Sequence, residues 1–277
     1  KVLDNISYGF KKNKITAILG SSGCGKTTLL HALNNLLSEE ENIKISGDIK
    51  LEKTSIYAMQ NEVLRKEVGL VFQTPVVFPM SIYKNMSYAL SYHGISSKKE
   101  LDRLIEEKLK FAGLYDEVKD KLKKSALKLS GGQKQRLCIA RALTIEPKVL
   151  LLDEPCSALD IENTLLIEKL LTELKSGISI IIVTHNIEQA KRIGDEIVTM
   201  KSGIGRHIVI RQPLPISDLI LSPKSLPQRS LMRCSTFLSP IPWLLYSIVS
   251  DRSGSTAFVL SNPTPSSSIS IKRQLLN

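Results

Sequence analysis

The sequence contains few of the residues that build metal or disulfide frameworks. Only four of its 277 residues are cysteine, and they form neither a CxxC pair nor a His–Cys cluster with metal-ligand spacing: Cys24, Cys138, Cys156 and Cys234. Free thiols in a reducing cytoplasm are therefore expected.

Long apolar runs are also missing. The longest run in the last quarter, at 241–249, is less than half of the roughly 20 residues that a membrane-spanning helix needs. Contact with a membrane is therefore expected to go through a partner protein. No signal peptide precedes the first motif, and the sequence starts at Lys1 instead of methionine, so a native start further upstream is expected.

Aromatic residues are scarce as well, at 5% of the chain. The net charge of +11 is unevenly spread, since residues 204–277 hold eight basic residues against two acidic ones. More than half of the net positive charge therefore lies outside the part of the chain that contains the motifs. Because no arginine-rich helix and no alternation of basic with aromatic residues accompanies the charge, nucleic-acid binding is not expected.

The composition changes abruptly after Gly203. Residues 204–277 contain eight of the 12 prolines and 15 serines, and no apolar period persists in them. We therefore predict one domain at 1–203 and an atypical Ser/Pro-rich tail at 204–277 that is poorly ordered or translated out of frame. The alternative is a native extension that docks on a partner through 241–249.

The pattern before Gly203 alternates strands and helices. Ser97 followed by Glu100 predicts a capping box inside a helical stretch from 81 to 127. Extended character is expected at 43–51, buried strands at 14–19, 68–72, 149–152 and 179–183, and helices at 26–37, 131–143 and 163–175. This order predicts an α/β fold with a parallel sheet covered on both faces and a helical insertion.

A phosphate-binding motif of the form GxxxxGK[ST] follows the first strand and precedes the first helix. Its inward-facing backbone N–H groups and the helix N-terminus suit phosphate, Lys26 is expected at the β- and γ-phosphates of ATP, and Thr27 at Mg²⁺. A plain glycine-rich turn is the alternative. The predicted nucleotide-binding residues are Gly20, Ser21, Ser22, Gly23, Cys24, Gly25, Lys26, Thr27 and Thr28.

An apolar strand at 149–152 leads into two adjacent acids. Carboxyl ends of strands are where open α/β sheets bind ligands. Asp153 is the expected direct or indirect partner of magnesium, and Glu154 the expected general base or water-orienting group. Such a pair is otherwise a solvated turn or a helix cap, and the upstream phosphate motif favours the catalytic interpretation.

A Leu-Ser-Gly-Gly-Gln segment at 129–133 opens the helix at 131–143. Taken alone it predicts an N-cap, but the order of the three motifs resembles the ABC ATPases. That resemblance implies a P-loop NTPase with a RecA-like parallel-sheet core, a small antiparallel β subdomain and a helical subdomain inserted at about 74–145.

The resemblance implies further site residues. Gln73 matches the glutamine that senses the γ-phosphate and magnesium, Asp160 ends the loop that crosses the dimer interface, and His185 matches the switch histidine. In that family the signature residues act on nucleotide held by the other subunit, so the resemblance implies a head-to-tail homodimer. The signature residues expected to bind nucleotide are Ser130, Gly131, Gly132 and Gln133.

The chain is still more similar to one subfamily, the phosphate-import ATPases. The similarity runs from about residue 3 to residue 203 and is most evident in the segments 78–85, 115–143 and 183–195. This implies two membrane permease subunits, a phosphate-binding protein and a peripheral place on the cytoplasmic face of the membrane. Cys156 departs from the usual small hydroxyl residue, and the adenine-stacking aromatic residue would lie before Lys1. The alternatives are a soluble ABC ATPase acting on ribosomes or DNA, or a non-catalytic remnant.

Overall fold

The structure is a computed structural model that describes residue 3, residues 6–40 and 43–200, and the backbone of 208–211. Most of the predicted tail, with Cys234 and the apolar run at 241–249, lies outside these residues. In the described part, the other three cysteines are free thiols, as predicted. No helix of that part is long and apolar enough to cross a bilayer.

The central sheet has six strands in the order β4–β5–β6–β1–β7–β8. All neighbours pair in parallel except β7 and β8, which are antiparallel. A separate two-stranded antiparallel sheet joins β2 and β3. Of the extended segment predicted at 43–51, only the last two residues form a strand, and the partner strand lies just beyond it. The strands are β1 Ile15–Gly20, β2 Lys50–Leu51, β3 Thr54–Ser55, β4 Val68–Val71, β5 Val149–Asp153, β6 Ser179–Thr184, β7 Glu196–Met200 and β8 Ile208–Arg211.

Eight α-helices are described. The predicted helix at 131–143 is confirmed without change, and the one predicted at 26–37 ends early because Asn35 takes a left-handed conformation with φ 55°. The helices are α1 Lys26–Leu33, α2 Asn61–Glu67, α3 Ile82–Tyr92, α4 Lys98–Phe111, α5 Tyr115–Val118, α6 Gly131–Leu143, α7 Ile161–Leu174 and α8 Ile187–Ile193.

The sheet is covered on both faces, as the apolar strands predicted. Alternate residues of a strand point to opposite faces, and Leu151 and Ile181 pack in the cluster that contains α1. Leu150 and Ile180 pack in the other cluster, with α6, α7 and α8. The sheet is therefore the middle layer of a three-layer α/β structure, and all five residues of β5 are buried.

The helices between β4 and β5 have an apolar core of their own, which includes Met86, Ile105, Leu109 and Leu137. The helical periodicity after residue 81 is therefore confirmed. The capping box predicted at Ser97 is wrong: Ser97 is the N-cap of α4, but its side chain makes no capping hydrogen bond. The predicted boundary at residue 203 stays a prediction, and the sheet continues past it because β8 pairs with β7.

Candidate functional site

The loop between β1 and α1 depends on glycine at several points. Gly23 and Gly25 have φ of 74° and 101°, in the left-handed region that favours glycine. A Cβ on Gly20 would lie 2.7 Å from the carbonyl oxygen of Met200 and 2.6 Å from Cys24 Sγ. Cys24 itself is fully buried in the core. The loop therefore presents backbone and small side chains to the surface while its cysteine anchors it beneath.

Lys26 holds this loop closed. Its side chain is largely buried, with a residue exposure of 6%, and Nζ donates to the carbonyl oxygens of Gly20 at 2.9 Å and Ser21 at 3.0 Å. Both acceptors are neutral, although a buried ammonium is stabilised most by an ionised partner. The loop is therefore suited to an anion placed beside Nζ.

Asp153 ends β5 beneath the loop and is 4% exposed. Burial raises the pKa of this carboxyl, the neighbouring charge of Glu154 raises it further, and a hydrogen bond from Thr27 opposes both effects. A cation close to Asp153 would oppose the rise in its pKa. Strand β5 thus brings a buried carboxylate to the first turn of α1.

Glu154 follows in a left-handed conformation, with φ 42°, which is unusual for a residue other than glycine. Its N–H donates to the carbonyl oxygen of Val183 at 2.9 Å, which fixes the turn to β6. Its Oε2 accepts from Gln73 Nε2 at 3.2 Å and lies 3.0 Å from His185 Nδ1. Two of the predicted catalytic side chains, Gln73 and His185, therefore meet at one carboxylate oxygen of the third, Glu154.

These groups share one cavity of about 590 Å³, within the range of roughly 300–1,000 Å³ that is typical of small-molecule sites. His185 faces it from an exposed position at the end of β6. The cavity is lined by Ser22, Gly23, Gly25, Lys26, Thr27, Thr28, Gln73, Glu154 and His185. The structure thus brings together six of the predicted nucleotide-loop residues, Thr27 among them, with all three predicted catalytic residues.

Three oxygen donors are available for a hard cation: the Thr27 hydroxyl and the Gln73 amide, which line the cavity, and the Asp153 carboxylate, which does not line it but accepts a hydrogen bond from Thr27. Within 6–40 and 43–200, no group of three His, Cys, Asp or Glu side chains could hold a metal by itself. One or two carboxylates completed by phosphate and water oxygens is the usual arrangement for Mg²⁺. The residues present fit a magnesium ion that arrives with a phosphate ligand.

The signature segment lies outside this cavity. Ser130 caps α6, with Oγ accepting from Gln133 N at 3.2 Å and Gln133 Oε1 accepting from Ser130 N at 3.0 Å. Gln133 Nε2 also donates to Glu117 Oε2 at 2.7 Å. The N-cap interpretation is therefore correct locally, and Gly131 and Gly132 form the first turn of α6.

Asp160 caps the neighbouring helix α7 and also lies outside the cavity. It accepts from Asn163 N at 2.8 Å and from Asn163 Nδ2. Asn163 in turn blocks the space beside Gly132, where a Cβ would lie 2.6 Å from its Oδ1. Sequence reasoning missed Asn163, although its position three residues after an N-cap aspartate was a usable signal.

The strand–loop–helix cradle, its buried lysine and the acidic end of β5 define a P-loop nucleotide-binding protein of the α/β class. The ABC transporter family pattern matches residues 3–157, and the chain belongs to that family. It is 48% identical over 227 residues to the phosphate import ATP-binding protein PstB of Borrelia garinii subsp. bavariensis, covering 81% of this chain and 85% of that protein. An alignment of that length reaches beyond residue 203.

Two further relatives agree. The phosphate import ATP-binding protein PstB of Thermotoga maritima is 54% identical over 201 residues, covering 72% of this chain and 80% of that protein. A dimeric ATP-binding cassette solved in a post-hydrolysis state with ADP and Pi superimposes with a TM-score of 0.65 at 27% identity, covering 77% of this chain and 91% of the other. The predicted ABC ATPase fold and the predicted resemblance are confirmed.

Proposed function

We propose that this chain is the ATP-hydrolysing subunit of an ABC importer for inorganic phosphate. ATP hydrolysis is supported by one observation: Gln73, Glu154 and His185 come together in the cavity that Lys26 and Thr27 also line. The phosphate assignment is supported by relatives of 48% and 54% identity that are named as phosphate import proteins. This similarity favours an importer over an ATPase that acts on ribosomes or DNA.

In this proposal the loop from Gly20 to Thr28 binds the phosphates of ATP. Its backbone N–H groups and the N-terminus of α1 attract the anion, and the Lys26 ammonium reaches the β- and γ-phosphates. A magnesium ion would be held by Thr27, Gln73 and Asp153, and it would neutralise charge on the phosphate oxygens. The left-handed glycines leave room for the phosphates to approach the backbone.

Glu154 then acts on the attacking water as a general base or as its orienting acceptor. His185, 3.0 Å from the same carboxylate oxygen, positions the water and the γ-phosphate. Gln73 completes the arrangement from the end of β4 by a 3.2 Å hydrogen bond. The reaction is ATP and water to ADP and phosphate.

The signature residues are proposed to complete the site of a second copy of the chain. Ser130 to Gln133 and Asp160 lie outside the cavity of their own subunit, so in a head-to-tail homodimer they would meet nucleotide held by the partner. We further propose that two permease subunits bind the dimer at the cytoplasmic face of the membrane, and that a phosphate-binding protein supplies the solute. The helices at about 74–145 would form the inserted subdomain.

Hydrolysis is tested with Glu154→Gln. Turnover is expected to fall by at least about 100-fold while ATP affinity stays within about threefold, because the carboxylate acts on water whereas Lys26 and Thr27 bind nucleotide. The closed dimer should accumulate with ATP and Mg²⁺ in size-exclusion chromatography. Glu173→Gln, an exposed acid on α7 outside the cavity, is the matched control. Retention of most activity by the Glu154 variant would remove the residue from this role.

The dimer is tested by mixing two inactive variants. Ser130→Arg obstructs the signature, and Lys26→Ala removes phosphate binding. In the mixed dimer both defects fall in one composite site and the other site is intact, so activity should reappear. No gain over the two pure variants would contradict the assignment across subunits.

The transported solute needs a cellular assay. A host lacking its own phosphate-import ATPase, supplied with this chain and its permease subunits, should regain uptake of radiolabelled phosphate, and the Glu154→Gln variant should not restore it. Uptake of a different anion in place of phosphate would disprove the phosphate assignment and leave the ATPase assignment intact.

A further inference from the structure

The connection between Gln73 and α3 is held mainly by side chains. Residues 74–80 form neither helix nor strand, and the main-chain hydrogen bond inside the segment runs from Met80 N to Phe78 O at 2.7 Å. Buried or half-buried peptide groups need partners. At 76–78 those partners are the side chains of Arg141, Cys138 and Asn85.

Arg141 contacts both ends of this short segment. Its Nη2 donates to the carbonyl oxygen of Val76 at 2.7 Å, and its guanidinium carbon lies 4.4 Å from the centre of the Phe78 ring. Its Nη1 donates to Asn85 Oδ1 at 3.2 Å. The planar guanidinium makes all three contacts at once, which an ammonium group cannot do.

Asn85 holds the same segment from α3. It is fully buried, its Oδ1 accepts from Phe78 N at 2.9 Å, and its Nδ2 donates to the carbonyl oxygens of Phe78 at 3.2 Å and Ser81 at 3.0 Å. The Cys138 thiol donates to the Val76 carbonyl oxygen at 3.5 Å. We call Arg141, Asn85 and the backbone of 76–78 the Arg141 clamp.

The clamp joins two parts of the proposed catalytic machinery. Ser130 caps one end of α6, and Arg141 lies in the last turn of the same helix, about 16 Å away at 1.5 Å per residue. Gln73 stands three residues before Val76 and donates to Glu154. A packed helix moves as a rigid unit, so displacement of α6 would be passed through the clamp to Gln73.

We propose that Arg141 is a positioning residue for hydrolysis: through the Arg141 clamp it makes the connection behind Gln73 move with α6 and so places the Gln73 amide at Glu154. This inference rests on the proposed function, because it assumes that Gln73 takes part in hydrolysis. Arg141 contacts neither the cavity nor its lining residues directly.

A double-mutant cycle on the full chain tests this proposal. Arg141→Met is expected to lower kcat about tenfold and to change the Kd for ATP by less than twofold, since the phosphate loop is untouched. The Arg141→Met, Gln73→Ala double variant should be no slower than Gln73→Ala alone, because the arginine acts through the glutamine. Arg141→Lys, which keeps a donor for Val76, should fall between wild type and Arg141→Met.

Arg136→Met is the matched control on the same helix. Arg136 donates to Gly113 O at 2.5 Å and to Glu117 Oε1 at 2.7 Å and does not contact the clamp, so its effect should multiply with that of Gln73→Ala. If the losses of kcat caused by Arg141→Met and Gln73→Ala multiply in the double variant, the proposed role of the Arg141 clamp is refuted. It is also refuted if Arg141→Met loses as much ATP affinity as turnover.

The two proposals fail differently. Wild-type hydrolysis by Gln73→Ala would remove Gln73 from the proposed function, and the clamp would fall with it. A slow Gln73 variant whose effect multiplies with that of Arg141→Met refutes the clamp alone. If thermal unfolding shows Arg141→Met to be unfolded at the assay temperature, Arg141→Lys takes its place in the cycle, and Gln73→Asn replaces Gln73→Ala if the latter turns over at background rate.

Discussion

Gly131 and Gly132 are adjacent in the first turn of α6, yet an added methyl group would meet different surroundings at the two positions. At Gly131 the described residues leave open space within 4 Å. At Gly132 the methyl carbon would lie 2.6 Å from Asn163 Oδ1 and 2.7 Å from Asn163 Cγ. The Asn163 side chain would have to turn away and release Asp160, to which Nδ2 donates at 2.8 and 3.0 Å.

The two substitutions should therefore differ in sign. Replacing glycine by alanine in a helix stabilises by up to about 1 kcal/mol through backbone entropy, and Gly131→Ala should show part of this gain. Gly132→Ala should gain the same backbone entropy term but lose about 1–3 kcal/mol of stability to overpacking against Asn163. The free energies of unfolding of the two variants should therefore differ by about that amount. At about 2–4 °C per kcal/mol for a domain of this size, the midpoints should be several degrees apart.

Thermal unfolding followed by circular dichroism without nucleotide measures this difference, since nucleotide would add its own stabilisation. Asn163→Ala supplies the control: with the obstructing side chain removed, Gly132→Ala should be no less stable relative to its parent than Gly131→Ala. Equal midpoints for the two glycine variants, or persistence of the difference in the Asn163→Ala background, would refute the packing argument.

Three further outcomes are expected from the same structure. Gly20→Ala should destabilise by about 1–3 kcal/mol because its methyl group would press on a backbone carbonyl, whereas Gly177→Ala, with open space within 4 Å among the described residues, should change the unfolding midpoint little. Asp153→Asn should raise the unfolding midpoint at pH 7. The pKa of Asp153 is raised in the folded state, so its ionised form opposes folding above that pKa; this cost diminishes as the pH falls through the raised pKa and is absent below the ordinary value of 3.8. Magnesium-dependent hydrolysis should fall in the same variant. A chain ending after residue 211 should unfold at a higher temperature than one ending after 203, because only the first retains β8 paired with β7.

Much of the fold could be predicted because its signals are local. The buried, mainly apolar strands β5 and β6 and the helix α6 each lie within a residue or two of their predicted bounds. The end of α1 was missed because Asn35 turns the chain through a left-handed conformation that its sequence does not require. Hydrogen bonding at Ser97 could not be predicted from residue type alone, because a cap depends on the side-chain rotamer.

The site could be predicted as a set of residues but not as a geometry. The phosphate loop, Asp153 and Glu154 follow from motifs whose chemistry is legible in sequence, and Gln73 and His185 followed only from resemblance to a family. Their meeting at one carboxylate oxygen depends on the order of three parallel strands, which no local pattern specifies. The Arg141 clamp depends on contacts between residues 65 positions apart, for the same reason.

The left-handed backbone at Glu154 has an evolutionary consequence. A side chain with a Cβ is disfavoured at φ 42° by about 1–2 kcal/mol, and glycine would relieve that strain. Selection for folding alone would therefore favour glycine at this position, and glutamate here costs stability that the rest of the fold has to supply. Glu52 and Glu146 share this conformation, with φ of 58° and 50°. What distinguishes Glu154 from them is the contact of its carboxylate with Gln73 and His185.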